Sequence, residues 1–119
     1  MSTDRYQYCA LYVRGLPERP AIKLLTTLTD GHYDHRTIRC DAAGIDVLSN
    51  PDHAADSDDF VGWPIKVELH PHPATPPQQT VALTAKLLTE LWNHGYDAIA
   101  ACDYEQELPD EGGYPRYRR

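Results

Sequence analysis

Hydrophobic and polar residues alternate along two long segments of the chain, Tyr6–Arg14 and Trp63–His70. A period of two is the pattern of a β-strand that presents one face to a core and the other face outward. Each segment is therefore predicted to be a strand. The residues expected to face the core are Cys9, Leu11, Val13, Ile65, Val67 and Leu69.

Two other segments repeat their apolar residues at intervals of three and four, which predicts amphipathic helices. The first is expected to begin near Pro17, because the proline three residues later is tolerated only in a first turn. Gly31 suits the C′ position, just beyond its C-terminal end. The second is expected to have Thr75 as its N-cap and Pro76 in its first helical position, and to end at Gly95.

Three shorter apolar stretches complete the pattern. Arg36–Cys40 and Gly44–Leu48 flank a polar turn and predict a hairpin, and Tyr96–Cys102 predicts a last strand. The order of elements is then β-α-β-β-β-α-β, in which both helices can cover the same face of the sheet. We therefore predict an α+β two-layer sandwich with a mainly antiparallel sheet, related to the ferredoxin-like arrangement.

Length and composition indicate one domain, residues 1–119. The chain has 119 residues, of which 41% are hydrophobic, and this is enough for one core. We expect the ordered part to span about 6–104 and the C-terminal tail, about 112–119, to be mobile. No apolar run approaches the ~18 residues of a transmembrane helix, and the first residues do not resemble a signal peptide. A cytoplasmic protein without membrane contact is expected.

The three cysteines, Cys9, Cys40 and Cys102, also bear on the cellular compartment. Their odd number and the absence of a C-x-x-C spacing argue against a disulfide framework and against a zinc ribbon. All three lie in or beside apolar stretches. We predict reduced and mostly buried thiols, as is usual in the cytoplasm.

The chain is acidic, with 18 Asp and Glu residues against 11 Lys and Arg residues and a net charge of -7. This is the opposite of the basic footprint that a nucleic-acid-binding protein needs. Half of the acidic residues lie in two segments, four in 52–59 and five in 103–111. Such segments can contact a basic protein partner or simply remain solvated. The candidate contact residues are Asp56, Asp58, Asp59, Asp103, Glu105 and Glu107.

Aromatic residues are predicted to lie on the sheet face that the helices leave uncovered. In the first strand, Tyr6, Tyr8 and Tyr12 alternate with the core residues. Tyrosine and tryptophan bury a large area at a small entropic cost. These tyrosines and Trp63 are therefore candidate anchors for a protein partner or for self-association. The alternative is that the tyrosines pair across strands and stiffen the sheet.

Among the six histidines, His70 and His72 have the spacing that places two imidazoles on one side of a strand. They are candidate metal ligands, but no sequence pattern identifies the third ligand that a metal site needs. The chain has no glycine-rich phosphate loop, no G-x-S-x-G motif and no H-E-x-x-H motif. We therefore expect no cofactor and no catalytic residue.

Two parts of the chain resemble small bacterial proteins of about this length. They are Asp59–Pro64 followed by Lys66–Glu68, and Ala101–Glu105 running into Leu108-Pro109 and Gly112-Gly113. Some proteins of this kind look like cytoplasmic immunity proteins for secreted toxins. The resemblance implies a non-enzymatic inhibitor of a basic toxin domain.

The sequence leaves three functions open. The first is an acidic protein-binding module, in its narrower form an immunity protein that neutralises a basic toxin domain by occlusion. The second is a small ligand-binding or enzymatic domain with a cleft between the sheet and the helices. The third is a metal-binding protein that uses His70 and His72.

Overall fold

A computed structural model describes residues 4–54 and 59–117 of the chain. It confirms the predicted α+β architecture, in which two long helices pack on one face of a six-stranded antiparallel sheet. The strands are β1 (Cys9–Arg14), β2 (His32–Asp34), β3 (Thr37–Arg39), β4 (Ala43–Ser49), β5 (Ile65–Pro71) and β6 (Asp97–Ala101). The helices are α1 (Glu18–Thr29), α2 (Pro77–Asn93) and the short α3 (Tyr114–Tyr117). Short 3-10 turns occupy Asp4–Tyr6, Phe60–Gly62 and Glu105–Glu107, and Pro109–Gly113 is a turn in which Asp110, Glu111 and Gly112 have left-handed φ.

The strands follow one another across the sheet in the order β2-β3-β4-β5-β1-β6, and all neighbouring pairs are antiparallel. Helix α1 lies in the connection from β1 to β4, and β5 lies between these two strands. Helix α2 connects β5 to β6, and β1 lies between them. Two interlocked units of this kind form the split βαβ arrangement of ferredoxin-like folds. The predicted relationship is confirmed.

The core lies between the sheet and the helices and contains the residues that the alternation predicted. Cys9, Leu11 and Val13 are fully buried, and Leu11 pairs with Val67 on β5. The fully buried leucines of the two long helices are Leu25, Leu87, Leu88 and Leu91. Each buried side chain of this size contributes about 1.5–3 kcal/mol. This shared apolar face therefore determines which side of the sheet remains outside the core.

No helix in the described part of the chain is long and apolar enough to cross a membrane.

The ends of the helices differ slightly from the prediction. Helix α1 ends at Thr29, and its C-cap Asp30 has the left-handed conformation (φ 52°), so that Gly31 follows in the predicted C′ position without a positive φ. Helix α2 has Pro76 as its N-cap. The hydroxyl of Thr75, the predicted cap, instead donates a hydrogen bond to the carbonyl of Ala42 (2.8 Å). Thr75 thereby links the start of the helix to the turn before β4.

Strand β2 was not predicted. It pairs with β3 through a two-residue turn, His35-Arg36, in which both residues have positive φ (50° and 68°). Two-residue hairpin turns with this conformation usually contain Asn-Gly. A His-Arg turn carries no such signal, so the strand before it was not recognised.

After β6 the chain forms a 3-10 turn, a left-handed turn at Asp110–Gly112 and the short helix α3. We call residues 105–117 the C-terminal segment. It passes so close to β6 that a Cβ atom on Gly113 would lie 2.8 Å from the carbonyl oxygen of Ala98. The hydroxyl of Tyr117 accepts a hydrogen bond from the N–H of Ala98 (3.0 Å). The indole N–H of Trp92 donates a hydrogen bond to the carbonyl oxygen of Ala98 (2.9 Å). The edge of β6 is thereby closed at Ala98, and the expected mobile tail is part of the packed structure as far as Tyr117.

Candidate functional site

The sheet face opposite α1 and α2 has a covered part and an uncovered part. Over β1 and β6, the ring of Phe60 contacts the rings of Tyr12 (centroids 5.4 Å apart) and Tyr114 (5.3 Å). Ile99, which pairs with Tyr12, is buried there. Over β3, β4 and β5 the outward side chains reach solvent, and all are polar except that of Leu48, which lies opposite Lys66. We call this uncovered part the open face, and its residues are Tyr8, Thr37, Arg39, Asp46, Leu48, Lys66, Glu68 and His70.

Two carboxylates and one imidazole converge on the open face. Asp46 and Glu68 lie directly opposite each other on β4 and β5, and His70 is the next residue on the same side of β5. The Nε2 atom of His70 lies 3.5 Å from Oδ2 of Asp46 and 3.9 Å from Oε1 of Glu68. Within residues 4–54 and 59–117, no other group brings three potential metal-ligand atoms within 4.8 Å of one another. We call these three residues the carboxylate–histidine cluster.

Neighbouring side chains hold the other oxygen of each carboxylate. The hydroxyl of Thr37 donates a hydrogen bond to Oδ1 of Asp46 (2.6 Å). The hydroxyl of Tyr8 donates to Oε2 of Glu68 (2.6 Å), and Nζ of Lys66 lies 3.7 Å from the same oxygen. Burial and the hydrogen bond to Glu68 raise the pKa of Tyr8, so its hydroxyl remains a donor at neutral pH. The other two carboxylate oxygens are left facing the imidazole.

His72 does not join His70, although the sequence suggested the two as a ligand pair. Its Nε2 atom lies 3.0 Å from the backbone carbonyl oxygen of Cys40. The residues that do meet His70 are Asp46 and Glu68, and sequence reasoning missed this combination. Each stands at a polar position of an alternating strand, but their proximity depends on the register of β4 against β5, which no local pattern specifies.

The structure separates the three tyrosines that were predicted to share the outer face. Tyr8 and Tyr12 do lie there, and Tyr12 is half-buried under the covering segments. Tyr6 belongs to the turn before β1, where its ring lies 5.5 Å from that of the buried Tyr104. Its hydroxyl donates to Glu107 (2.9 Å), and this hydrogen bond is the main cause of its raised pKa. Of the three tyrosines, only Tyr8 presents an exposed ring on the open face.

Trp63, the other predicted aromatic anchor, is only 3% exposed. Its ring packs against that of Tyr117 (centroids 5.1 Å apart) and lies under the guanidinium group of Arg14 (4.5 Å). Trp63 therefore uses its contact area to hold the C-terminal segment and is not available as a surface anchor.

Of the three acidic candidate residues in the loop before β5, only Asp59 lies within the described residues. Asp56 and Asp58 lie outside the described residues. Asp59 is exposed and caps the 3-10 turn that follows it, because its side chain accepts a hydrogen bond from the N–H of Val61 (3.4 Å). This turn carries Phe60, so Asp59 helps to position one of the covering residues.

The acidic candidates after β6 mostly have partners within the fold. Glu105 accepts hydrogen bonds from the N–H of Cys102 (3.1 Å) and from the hydroxyl of Tyr114 (3.2 Å). Glu107 forms an ion pair with Arg5 (3.3 Å). Asp103 is exposed. The two glutamates thus attach the C-terminal segment to the rest of the protein, a role that their alternation in sequence did not indicate.

A cleft of about 470 Å³ lies where the chain enters β1 and leaves β5, and a second of about 300 Å³ lies between α1, α2 and the turn before β4. The wall of the first cleft includes the proline-rich loop 71–77 and Thr80 of α2. The ionisable side chains in the wall are Tyr6 and His72, and both already form hydrogen bonds within the protein. The other polar side chains of this wall are Gln7, Thr75 and Thr80.

Comparison of the chain with protein-family models, with curated proteins and with solved structures finds no match. Its function therefore has to be inferred from the geometry and charge of its own residues.

Proposed function

We propose that the chain is a non-enzymatic binding module that recognises a basic protein partner on its open face. The observation that carries the proposal is the position of Tyr8, whose residue surface is 41% exposed at the edge of the covered part. Its hydroxyl is held by Glu68, and its ring lies 5.6 Å from the ring of His70. A fixed, exposed aromatic ring among polar groups is the usual centre of a protein interface.

The charge of the chain supports a basic partner. With 18 acidic and 11 basic residues, the protein attracts positively charged molecules over distances longer than direct contacts. On the open face itself Asp46 and Glu68 are balanced by Arg39 and Lys66, so the attraction comes from the acidic chain as a whole. Complementary charge mainly increases the rate of association, while the aromatic anchor contributes to the lifetime of the complex.

In its narrower form, the proposal makes the partner a basic toxin domain and the chain a cytoplasmic immunity protein that occludes it. The acidic composition and the sequence resemblance at Asp59–Pro64 support this form. Occlusion needs no catalytic residue in the inhibitor, because a flat surface that covers the active surface of the toxin is sufficient.

The test compares two tyrosines of equal exposure on opposite faces of the sheet. Tyr8 lies on the open face, whereas Tyr33, which is 43% exposed, pairs with the buried Ile38 and so lies on the helix side. The partner is captured from an extract of the source cells, identified and purified, and its binding kinetics are then measured. We expect Tyr8→Ser to weaken binding about tenfold or more, and Tyr33→Ser to leave it unchanged.

Two further results bear on the proposal. Association should slow as salt is raised from low concentration to ~1 M, because the screening length then falls to about 3 Å. Equal binding of the partner by the Tyr8 and Tyr33 variants would contradict the proposed face. A captured partner without a basic surface, or self-association of the purified chain through Tyr8, would contradict the proposed partner.

A further inference from the structure

We infer that Asp46, Glu68 and His70 form a binding site for one divalent transition-metal ion of the Zn²⁺ type. The inference is independent of the protein partner proposed above, because all three ligands belong to this chain. It rests on the distances within the carboxylate–histidine cluster, on the hydrogen bonds around it and on the pairing of two like charges.

The distances within the cluster are close to those that a shared ion requires. Zn²⁺ binds imidazole nitrogen and carboxylate oxygen at about 2.0–2.2 Å, so two ligand atoms of a tetrahedral site lie about 3.3–3.5 Å apart. Nε2 of His70 is 3.5 Å from Oδ2 of Asp46 and 3.9 Å from Oε1 of Glu68. Small side-chain rotations would bring all three atoms onto one ion.

The residues around the cluster already orient the ligands. Thr37 holds Oδ1 of Asp46, and Tyr8 holds Oε2 of Glu68. Each carboxylate therefore presents its second oxygen toward His70. Hydrogen bonds of this kind from outside the ligand set are a regular feature of metal sites, where they fix the ligand geometry.

The cluster also places two negative charges directly opposite each other. Asp46 and Glu68 are cross-strand partners, and like charges in that position destabilise a sheet. The ammonium group of Lys66 lies near Oε2 of Glu68, on the side held by Tyr8. An ion between Oδ2 and Oε1 would neutralise the repulsion where these oxygens face each other.

The surroundings leave room for the remaining coordination position. His70 is exposed to solvent, and the residue opposite it on β4 is Gly44, so the nearest side chain in that row is Arg39 on β3. A water molecule can therefore complete a tetrahedral site. One nitrogen and two oxygens suit Zn²⁺ and its neighbours, whereas Ca²⁺ and Mg²⁺ prefer more ligands, all of them oxygen.

The experiment is a calorimetric titration of the metal-free, tag-free protein with Zn²⁺ alone, and separately with Mg²⁺. We expect one Zn²⁺ ion to bind with micromolar affinity, and Mg²⁺ to bind far more weakly. Asp46→Asn and His70→Asn should each lower the affinity for Zn²⁺ about tenfold or more. Thr37→Val, which removes an outer hydrogen bond, should lower it by about tenfold. Circular dichroism verifies that each variant is folded.

The matched control is His35→Asn. His35 is also exposed and also lies next to one carboxylate, with Nδ1 2.9 Å from Oδ1 of Asp34, but it belongs to no cluster of three ligands. Its replacement should leave zinc binding unchanged.

Titration with Co²⁺ tests whether the cysteines bind the metal instead, because thiolate ligation adds a charge-transfer band that carboxylate and imidazole ligation lacks. The inference fails if such a band appears, if Zn²⁺ does not bind, or if the His70 and His35 variants bind it equally.

Discussion

At the scale of single residues, the pairing of β1 with β6 gives two cysteines different reactivity. Cys9 is opposite Cys102, one position beyond the Ala10–Ala101 pair. The interaction of the two side chains raises the pKa of Cys9 and lowers that of Cys102, and burial raises the pKa of Cys9 further. Because the thiolate is the reactive form, we expect iodoacetamide to modify Cys102 about tenfold faster than Cys9 in the folded protein. Mass spectrometry of the digested protein measures both rates.

The variant Cys9→Ala tests whether the thiol pair is the cause. It removes the interaction with Cys102, so the pKa of Cys102 should return toward its ordinary value and alkylation at neutral pH should slow. An unchanged rate would show that exposure alone makes Cys102 reactive, since Cys9 is fully buried and Cys102 is not.

At the scale of elements, the C-terminal segment should contribute measurably to stability. The ring of Tyr117 packs on Trp63, and its hydroxyl satisfies the N–H of Ala98 on β6. We expect Tyr117→Phe to lower the free energy of unfolding by about 1 kcal/mol, because only a hydrogen bond is lost. Tyr117→Ala should lower it by about 2 kcal/mol or more, because ring packing is lost as well. Urea unfolding measures both, and equal stability of the two variants would contradict the packing role of the ring.

The elements that the sequence predicts are those whose signal is local. Alternation in β1 and β5 and helical spacing in α1 and α2 reflect burial that any strand or helix on this core requires. The C-terminal segment has no such periodicity, because it is held by contacts distant in sequence, such as Tyr114 with Phe60. The carboxylate–histidine cluster also depends on non-local contacts. Each of its residues occupies a polar position of an alternating strand, but their proximity depends on the register of β4 against β5.

At the scale of the whole molecule, the protein covers part of its own sheet and leaves the rest open. The C-terminal segment and the turn at Phe60–Gly62 cover the outer side of β1 and β6, where Ile99 is buried. Part of the chain that was expected to be a mobile tail therefore completes the fold. Two acidic residues that were expected to contact a partner, Glu105 and Glu107, attach it. What remains accessible on the outer side is the open face, so both proposals concern that surface.

The whole molecule should also lose stability in alkaline solution. Tyr8, Tyr104 and Tyr114 have pKa values raised above the ordinary 10.0, and burial is the largest cause for each. The unfolded chain therefore releases these protons at lower pH than the folded chain, and binds fewer protons near pH 10 and above. Stability then decreases as pH rises, whereas the contribution of the neutral tyrosines is complete below about pH 9.

Urea unfolding between pH 8 and about pH 11 measures this decrease in the free energy of unfolding. The matched variant is Tyr104→Phe, which keeps the buried ring but loses the 2.8 Å hydrogen bond to Thr84. It should be less stable than the parent by about 1 kcal/mol near neutral pH. Its stability should also fall less steeply above pH 10, so that the two curves converge, because a group that resists ionisation in the folded state has been removed. Parallel curves would show that Tyr104 does not contribute to the alkaline loss of stability.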